Sequence, residues 1–185
     1  GLGDVYKRQP KFCYFSKAAL AALNYLNWTP DIVHCHDWQA ALVPLYLRTS
    51  FKDTNVGRAG AVLTIHNLRF QGIYDRKTIQ YWSALPDYVF NKDCMTQNWL
   101  DANMLKGGIT YCNKLTTVSN TYAGEIQTEE YGEGLEEHLR YHSSKILGIV
   151  NGIDTDIWNP ATDKLLAAQY LSLIHISEPT RQAEI

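Results

Sequence analysis

From Pro10 onward, short apolar runs of strand length alternate with stretches whose apolar residues recur at helical spacing. FSKAALAALNYL reads as an amphipathic helix capped near Ser16, ended by Trp28-Thr29-Pro30, and DIVHC follows as a short buried strand. WQAALVPLYLRTS is a second helix, and the polar loop FKDTNVGRAG leads into AVLTIH, a near-continuous apolar strand. The loop HNLRFQGIY and the aromatic segment YWSALPDYVF precede NWLDANMLKGGITYC, which reads as one buried helix weakened by Gly107 and Gly108. KLTTVS is a third strand, NTYAGEIQ a helix, YGEGLEEHLRYH a turn opening another helix, and KILGIV a last strand before NGIDTDIWNP.

Val/Ile/Leu-rich strands that alternate with helices form a parallel sheet covered by helices, so the class is α/β, Rossmann-like. In such sheets ligands bind outside the carboxyl ends of the strands. The four strands end in His34-Cys35-His36-Asp37, in His66-Asn67, in Ser119-Asn120 and in Asn151-Gly152. Parallel strands bring all four polar clusters to one edge, which predicts a ligand crevice there.

Composition narrows the class of ligand. The 185 residues carry 17 Lys+Arg against 19 Asp+Glu, with no long basic block, so nucleic acid is not an expected partner. The apolar runs are too short to span a bilayer, which excludes a membrane. The four cysteines form no C-x-x-C pair and read as free thiols of a cytoplasmic protein, or a plastid one were the source a plant.

The two ends are related at the codon level. LSLIHISEP, residues 171–179, has a codon choice whose reverse complement translates as GLGDVYKRQ, residues 1–9. Such an in-frame inverted repeat resembles the transposase adapter of a sequencing library. Residues 1–9 and 171–185 are therefore read as non-native, and their three charges of each sign leave the charge balance unchanged.

Each polar cluster admits two readings. His34 and His36 share one face of a strand end and suit paired metal ligands, with His66 as the third, or sugar recognition. Asp37 stands where a helix N-cap would, and Trp38 reads as packing. His66 and Asn67 suit a ligand or their own loop, and Gln71-Gly72 suits a ligand or a turn. Tyr131, next to Gly132, offers a stacking surface beside backbone that can approach closely, or simply opens a helix. Asn151-Gly152 suits a tight turn. His138 and His142 lie four apart but lack the glutamate of H-E-x-x-H, so they read as a solvated helix face.

Taken in order, PDIVHCHDWQAALVPLYL, TIHNLRFQGIY, TTVSNTYAGEI, YGEGLEEHL and GIVNGIDTDIWNP resemble bacterial glycogen synthase and plant starch synthase. The resemblance covers residues 10–170. It implies a retaining GT-B glycosyltransferase that moves glucose from ADP-glucose (or UDP-glucose) to the non-reducing 4-hydroxyl of an α-1,4-glucan. Residues 10–150 would be the later part of its N-terminal lobe and 151–170 the start of the interlobe hinge, with the C-terminal lobe of the same chain as partner. His36 would contact the transferred glucosyl unit as the catalytic histidine, and Asp37 would order its loop. Asn67, Gln71 and Tyr131 would line or support the crevice. No metal and no cofactor are implied.

GLGDV resembles the tail of that family's phosphate-binding loop, but the lysine and first glycine are absent and the spacing to CYFSKAALAAL is too short. With that loop and the basic residues of the second lobe absent, the fragment is expected to be inactive. No pair of carboxylates has the glycosidase arrangement, which favours transfer over hydrolysis. Two other classes remain: a metal-dependent hydrolase built on His34, His36 and His66, and a non-catalytic glucan-binding module built on Tyr81 to Phe90 and Tyr131.

Overall fold

The computed structural model describes residues 8–169, with side chains from Pro10 onward. Residues 170–185 and all of 1–9 except the backbone of Arg8 and Gln9 lie outside the described residues. The chain divides after Val150 into two units.

The first unit opens with α1 (Arg8–Tyr25), which begins well before Ser16. Ser16 lies in its middle, fully buried between Cys13 and Leu20, and its hydroxyl reaches the carbonyl of Gln39 at 3.4 Å. A buried serine hydroxyl needs an acceptor, and here the carbonyl of Gln39 supplies one from outside the helix. The helix ends where Asn27 turns left-handed at φ 53 and Trp28 N–H reaches back to Leu23 O.

β1 (Ile32–His36) follows, and then a helix broken in two: α2 (Asp37–Ala40) and α3 (Leu42–Arg48). The break at Ala41, which was not foreseen, follows from Pro44, which has no N–H to give to Ala40 O. β2 (Gly60–Ile65) is the second strand of the sheet. Before the third comes an insertion: β3 (Ile73–Asp75) and β4 (Asp101–Asn103) pair antiparallel around α4 (Arg76–Ser83). The aromatic segment thus begins in the last turn of a helix whose cap, Asp75, accepts from Thr78 N–H at 2.8 Å.

The expected helix from Asn98 starts instead at Met104, as α5 (Met104–Tyr111), because Asn103 leaves the ribbon and caps it at Lys106 N–H. Gly107 and Gly108 are close-packing positions within it. A Cβ on Gly108 would lie 2.8 Å from both Cβ and O of Ala41, and one on Gly107 would lie 2.7 Å from Met95 Cγ. The propensity lost to two glycines is offset by the close approach of α5 to α2 and α3. β5 (Lys114–Thr117), α6 (Asn120–Glu125), α7 (Glu136–Tyr141) and β6 (Ile146–Gly148) complete the unit.

The sheet order is β1-β2-β5-β6, parallel throughout, with Cys35 opposite Leu63 and Leu63 opposite Leu115. Each crossover therefore advances one strand in the same direction. Period-two alternation sends Cys35, Ala61, Leu63, Ile65 and Leu115 into the core with Leu42, Leu45, Tyr46, Leu105 and Ile109. The other face carries His34, Thr64 and Thr116. Asn151 to Gln169 forms turns, with Asp154 Oδ1 accepting from Asp156 and Ile157 N–H.

Candidate active site at the carboxyl edge of the sheet

The register sets the ends of β1 and β2 side by side, since His36 lies opposite Thr64, two residues before His66. His36 Nδ1 meets His66 Nε2 at 3.0 Å. The His34 ring lies against His36 with centroids 4.3 Å apart. His34 Nε2 bonds Thr64 Oγ1 at 2.7 Å, and Thr64 Oγ1 bonds Thr116 Oγ1 at 2.6 Å. These contacts form a polar row across three strands, and its two buried threonines were not foreseen as site residues. The signal was there, as threonines inside otherwise apolar strands.

Asp37 adopts a left-handed conformation, φ 54, unusual for a residue with a side chain. That turn sends its carboxylate across to β2, where Oδ1 accepts from His66 N–H at 2.8 Å. It does not cap α2, whose N-terminus has no side-chain cap. Trp38 is a packing residue, 4.9 Å edge-on to Phe12. Gly72, with φ 65, lets the chain pass this indole, since a Cβ there would come within 2.5 Å of the Trp38 ring.

The loop that follows β2 is pinned along its length. Asp37 holds His66 N–H, the Tyr122 hydroxyl of α6 accepts from Leu68 N–H at 3.1 Å, and Gln71 anchors the tail. Gln71 is buried and its amide is spent twice: Nε2 donates to Glu133 O at 2.9 Å and Oε1 accepts from Asn103 Nδ2 at 2.6 Å. Gln71 is thus a strut between two loops. Asn67 is exposed and folds its own loop, with Oδ1 accepting from Arg69 N–H at 3.0 Å.

Tyr131 is 47% exposed, and Glu130 beside it raises its phenol pKa. Its loop turns through Glu133 at φ 49 and Gly134 at φ 79, and Gln97 Nε2 holds Gly134 O at 3.1 Å. Of the predicted residues, the structure brings His34, His36, Asp37 and His66 into contact. It ties Gln71 to the loop of Tyr131 through Glu133.

Partial desolvation, then the His34 and His66 rings, hold His36 below the ordinary imidazole value of 6.5, against the opposing pull of Asp37. A neutral ring with one nitrogen engaged keeps Nε2 for a ligand, which suits a hydroxyl or an ether oxygen. Among the described residues no three His, Cys, Asp or Glu are arranged to hold a metal ion. His34, the first ligand of the hydrolase alternative, spends Nε2 on Thr64. No described helix is long and apolar enough to cross a membrane.

An α/β lobe with a polar rim at the carboxyl edge of its parallel sheet has the fold of the GT-B glycosyltransferase class. The chain belongs to the starch synthase catalytic domain family, whose model matches residues 2–141. It is 49% identical over 161 residues to a glycogen synthase of Lachnospira eligens, a match covering 86% of this chain and 34% of that protein. A glycogen synthase of Thermotoga petrophila is 48% identical over 158 residues, covering 85% of this chain and 32% of its own length. The catalytic domain of Starch Synthase IV from Arabidopsis thaliana, bound to ADP and acarbose, superposes with a TM-score of 0.78 at 40% identity. That match covers 88% of this chain and 34% of the Arabidopsis chain. The chain thus spans about a third of the length of its relatives.

Proposed function

We propose that this chain is the later part of the N-terminal lobe of a glucosyltransferase that moves glucose from ADP-glucose (or UDP-glucose) to the non-reducing end of an α-1,4-glucan, with retention. In this reading residues 10–150 belong to the lobe, 151–170 open the interlobe hinge, and 1–9 and 171–185 are foreign to it. The C-terminal lobe completes the site, so the fragment alone is inactive.

The observation that carries the reading is the His36 ring at the carboxyl edge, its Nδ1 held by His66 at 3.0 Å, in a chain of this family. Retaining transfer passes through a state in which the sugar gains oxocarbenium character while the diphosphate departs. The protein must then hold sugar hydroxyls rigidly and exclude water. His36 serves as the catalytic residue that bonds the transferred glucosyl unit. Asp37 orders its loop, and Gln71 keeps the HNLRFQG and YGEGLE loops in register. Asn67 and Tyr131 remain on the accessible surface, where an acceptor could meet them. The reading invokes no cofactor, metal or nucleic acid. Its setting is the cytoplasm, which suits the four free buried thiols.

The test is nucleotide release by the full-length parent with glycogen as acceptor, ADP-glucose and UDP-glucose being supplied separately. Glucan-dependent release with either donor, lost in His36→Ala, supports the proposal. No release with either donor from a folded parent would falsify it.

A further inference from the structure

His36 has two ring nitrogens, and the fold engages one of them. Between its Nδ1 and Nε2 of His66, 3.0 Å away, one nitrogen carries the proton and the other accepts it. Two arrangements satisfy the contact. In the first, His66 donates from Nε2–H and His36 keeps its own proton on Nε2. In the second, His36 donates from Nδ1–H, and His66 must carry its proton on Nδ1.

The two differ on both rings at once. The first puts each in the Nε2–H form that a free neutral imidazole prefers, and the second puts each in the less stable form. Among the described residues Nδ1 of His66 has no hydrogen-bond acceptor, so the second gains no bond within the protein in compensation. We propose that His66 is a positioning residue that holds His36 in the Nε2–H form, so that His36 presents a hydrogen-bond donor, and not a proton acceptor, to a sugar oxygen.

The surroundings favour a fixed geometry. Asp37, next to His36 in the chain, accepts from His66 N–H at 2.8 Å, so the two loops that carry the rings are fastened to each other. The His34 ring covers His36 from 4.3 Å and is itself fixed by Thr64. Burial and the two neighbouring rings discourage a second proton on His36. A donor at this position can hold the transferred sugar by one of its oxygens while the glycosidic bond to the diphosphate breaks, and it takes no part as a general base.

The kinetic half of this inference rests on the transferase reading, whereas the proton's position does not. The experiment is long-range nitrogen–proton NMR on histidine-labelled full-length parent, assigned with His36→Gln, beside turnover of His66→Phe and His66→Gln. His66→Gln returns an amide N–H at nearly the reach of Nε2. The expected spectrum shows His36 protonated at Nε2 in the wild type and a mixture of tautomers in His66→Phe. Turnover of His66→Phe falls about a hundredfold while KM for the glucan stays within about threefold, and His66→Gln recovers at least about tenfold of the loss. His36 protonated at Nδ1 in the wild type overturns the inference, even if no variant folds. So does a His36 tautomer, or a turnover, unchanged in folded His66→Phe. A parent that transfers no glucose removes the transferase reading and leaves the spectrum to decide the tautomer.

Discussion

Two histidine clusters stand in the first unit, one at the surface and one packed inside. His36 and His66 meet on an exposed edge, joined ring to ring. His138 and His142 lie on α7 with centroids 4.7 Å apart, and the structure corrects their reading as a solvated face. His142 is only 9% exposed, and His138 Nε2 bonds Thr110 Oγ1 of α5 at 3.1 Å. The reason is that Leu139 of α7 lies in the hydrophobic core, and positions one residue before and three after it turn inward as well. Burial, His142 and Lys106, in that order, push His138 down to about 4. The difference teaches that proximity of imidazoles is not itself a functional sign. What separates the clusters is exposure: His36 and His66 lie at the surface, whereas His138 is half-buried and His142 buried.

The sharpest break between them is kinetic. His36→Ala in the full-length parent is expected to lower turnover about a hundredfold or more, with thermal stability changed little. His138→Ala should show the reverse, losing about 1–2 kcal/mol in denaturant unfolding as the bond to Thr110 goes, with turnover within a few-fold. If His138→Ala abolishes turnover at unchanged stability, the division fails.

Acid gives a third contrast. The unfolded chain protonates His138 near the ordinary 6.5 and the folded chain only near 4, so the unfolded state binds more protons between those values. Stability should therefore fall as pH drops through that window, and fall less in His138→Gln. Equal slopes for the two proteins would remove His138 from the account. The smallest effect concerns His142, whose Nε2 is buried with no hydrogen-bond partner among the described residues. His142→Phe should be neutral or stabilise by up to about 1 kcal/mol, whereas a clear loss would reveal a partner for that nitrogen.

Strands and their polar ends were legible in the sequence because a buried parallel strand is a short apolar run whatever packs on it. KLTTVS and KILGIV contain the observed strands, and DIVHC and AVLTIH each miss one residue of theirs, His36 and Gly60. The meeting of His36 with His66 followed from the shared carboxyl edge, without any distance. What stayed hidden depends on contacts distant in sequence. Ser16 looked like a cap because its partner, Gln39, lies 23 residues away. The ribbon of β3 and β4 joins segments too short to carry a period. Gln71 could be seen as polar, but not as buried between Glu133 and Asn103. The resemblance to starch and glycogen synthases reached the family that the comparisons show, from motifs whose separate meanings remained open.

The row from His34 through Thr64 to Thr116 has a direction. The Thr64 hydroxyl owns one hydrogen and stands 2.7 Å from a ring nitrogen and 2.6 Å from another hydroxyl. It can give to one side only, so the sense in which it points fixes the sense of its neighbours, as in a line of tiles that lean one way. With His34 protonated at Nε2, the line leans from β1 toward β5. Replacing Thr116 with valine removes the far receiver and leaves Thr64 free to lean back, which would shift the His34 proton to Nδ1. The polarity of a ring on the first strand would then depend on a methyl-for-hydroxyl choice two strands away.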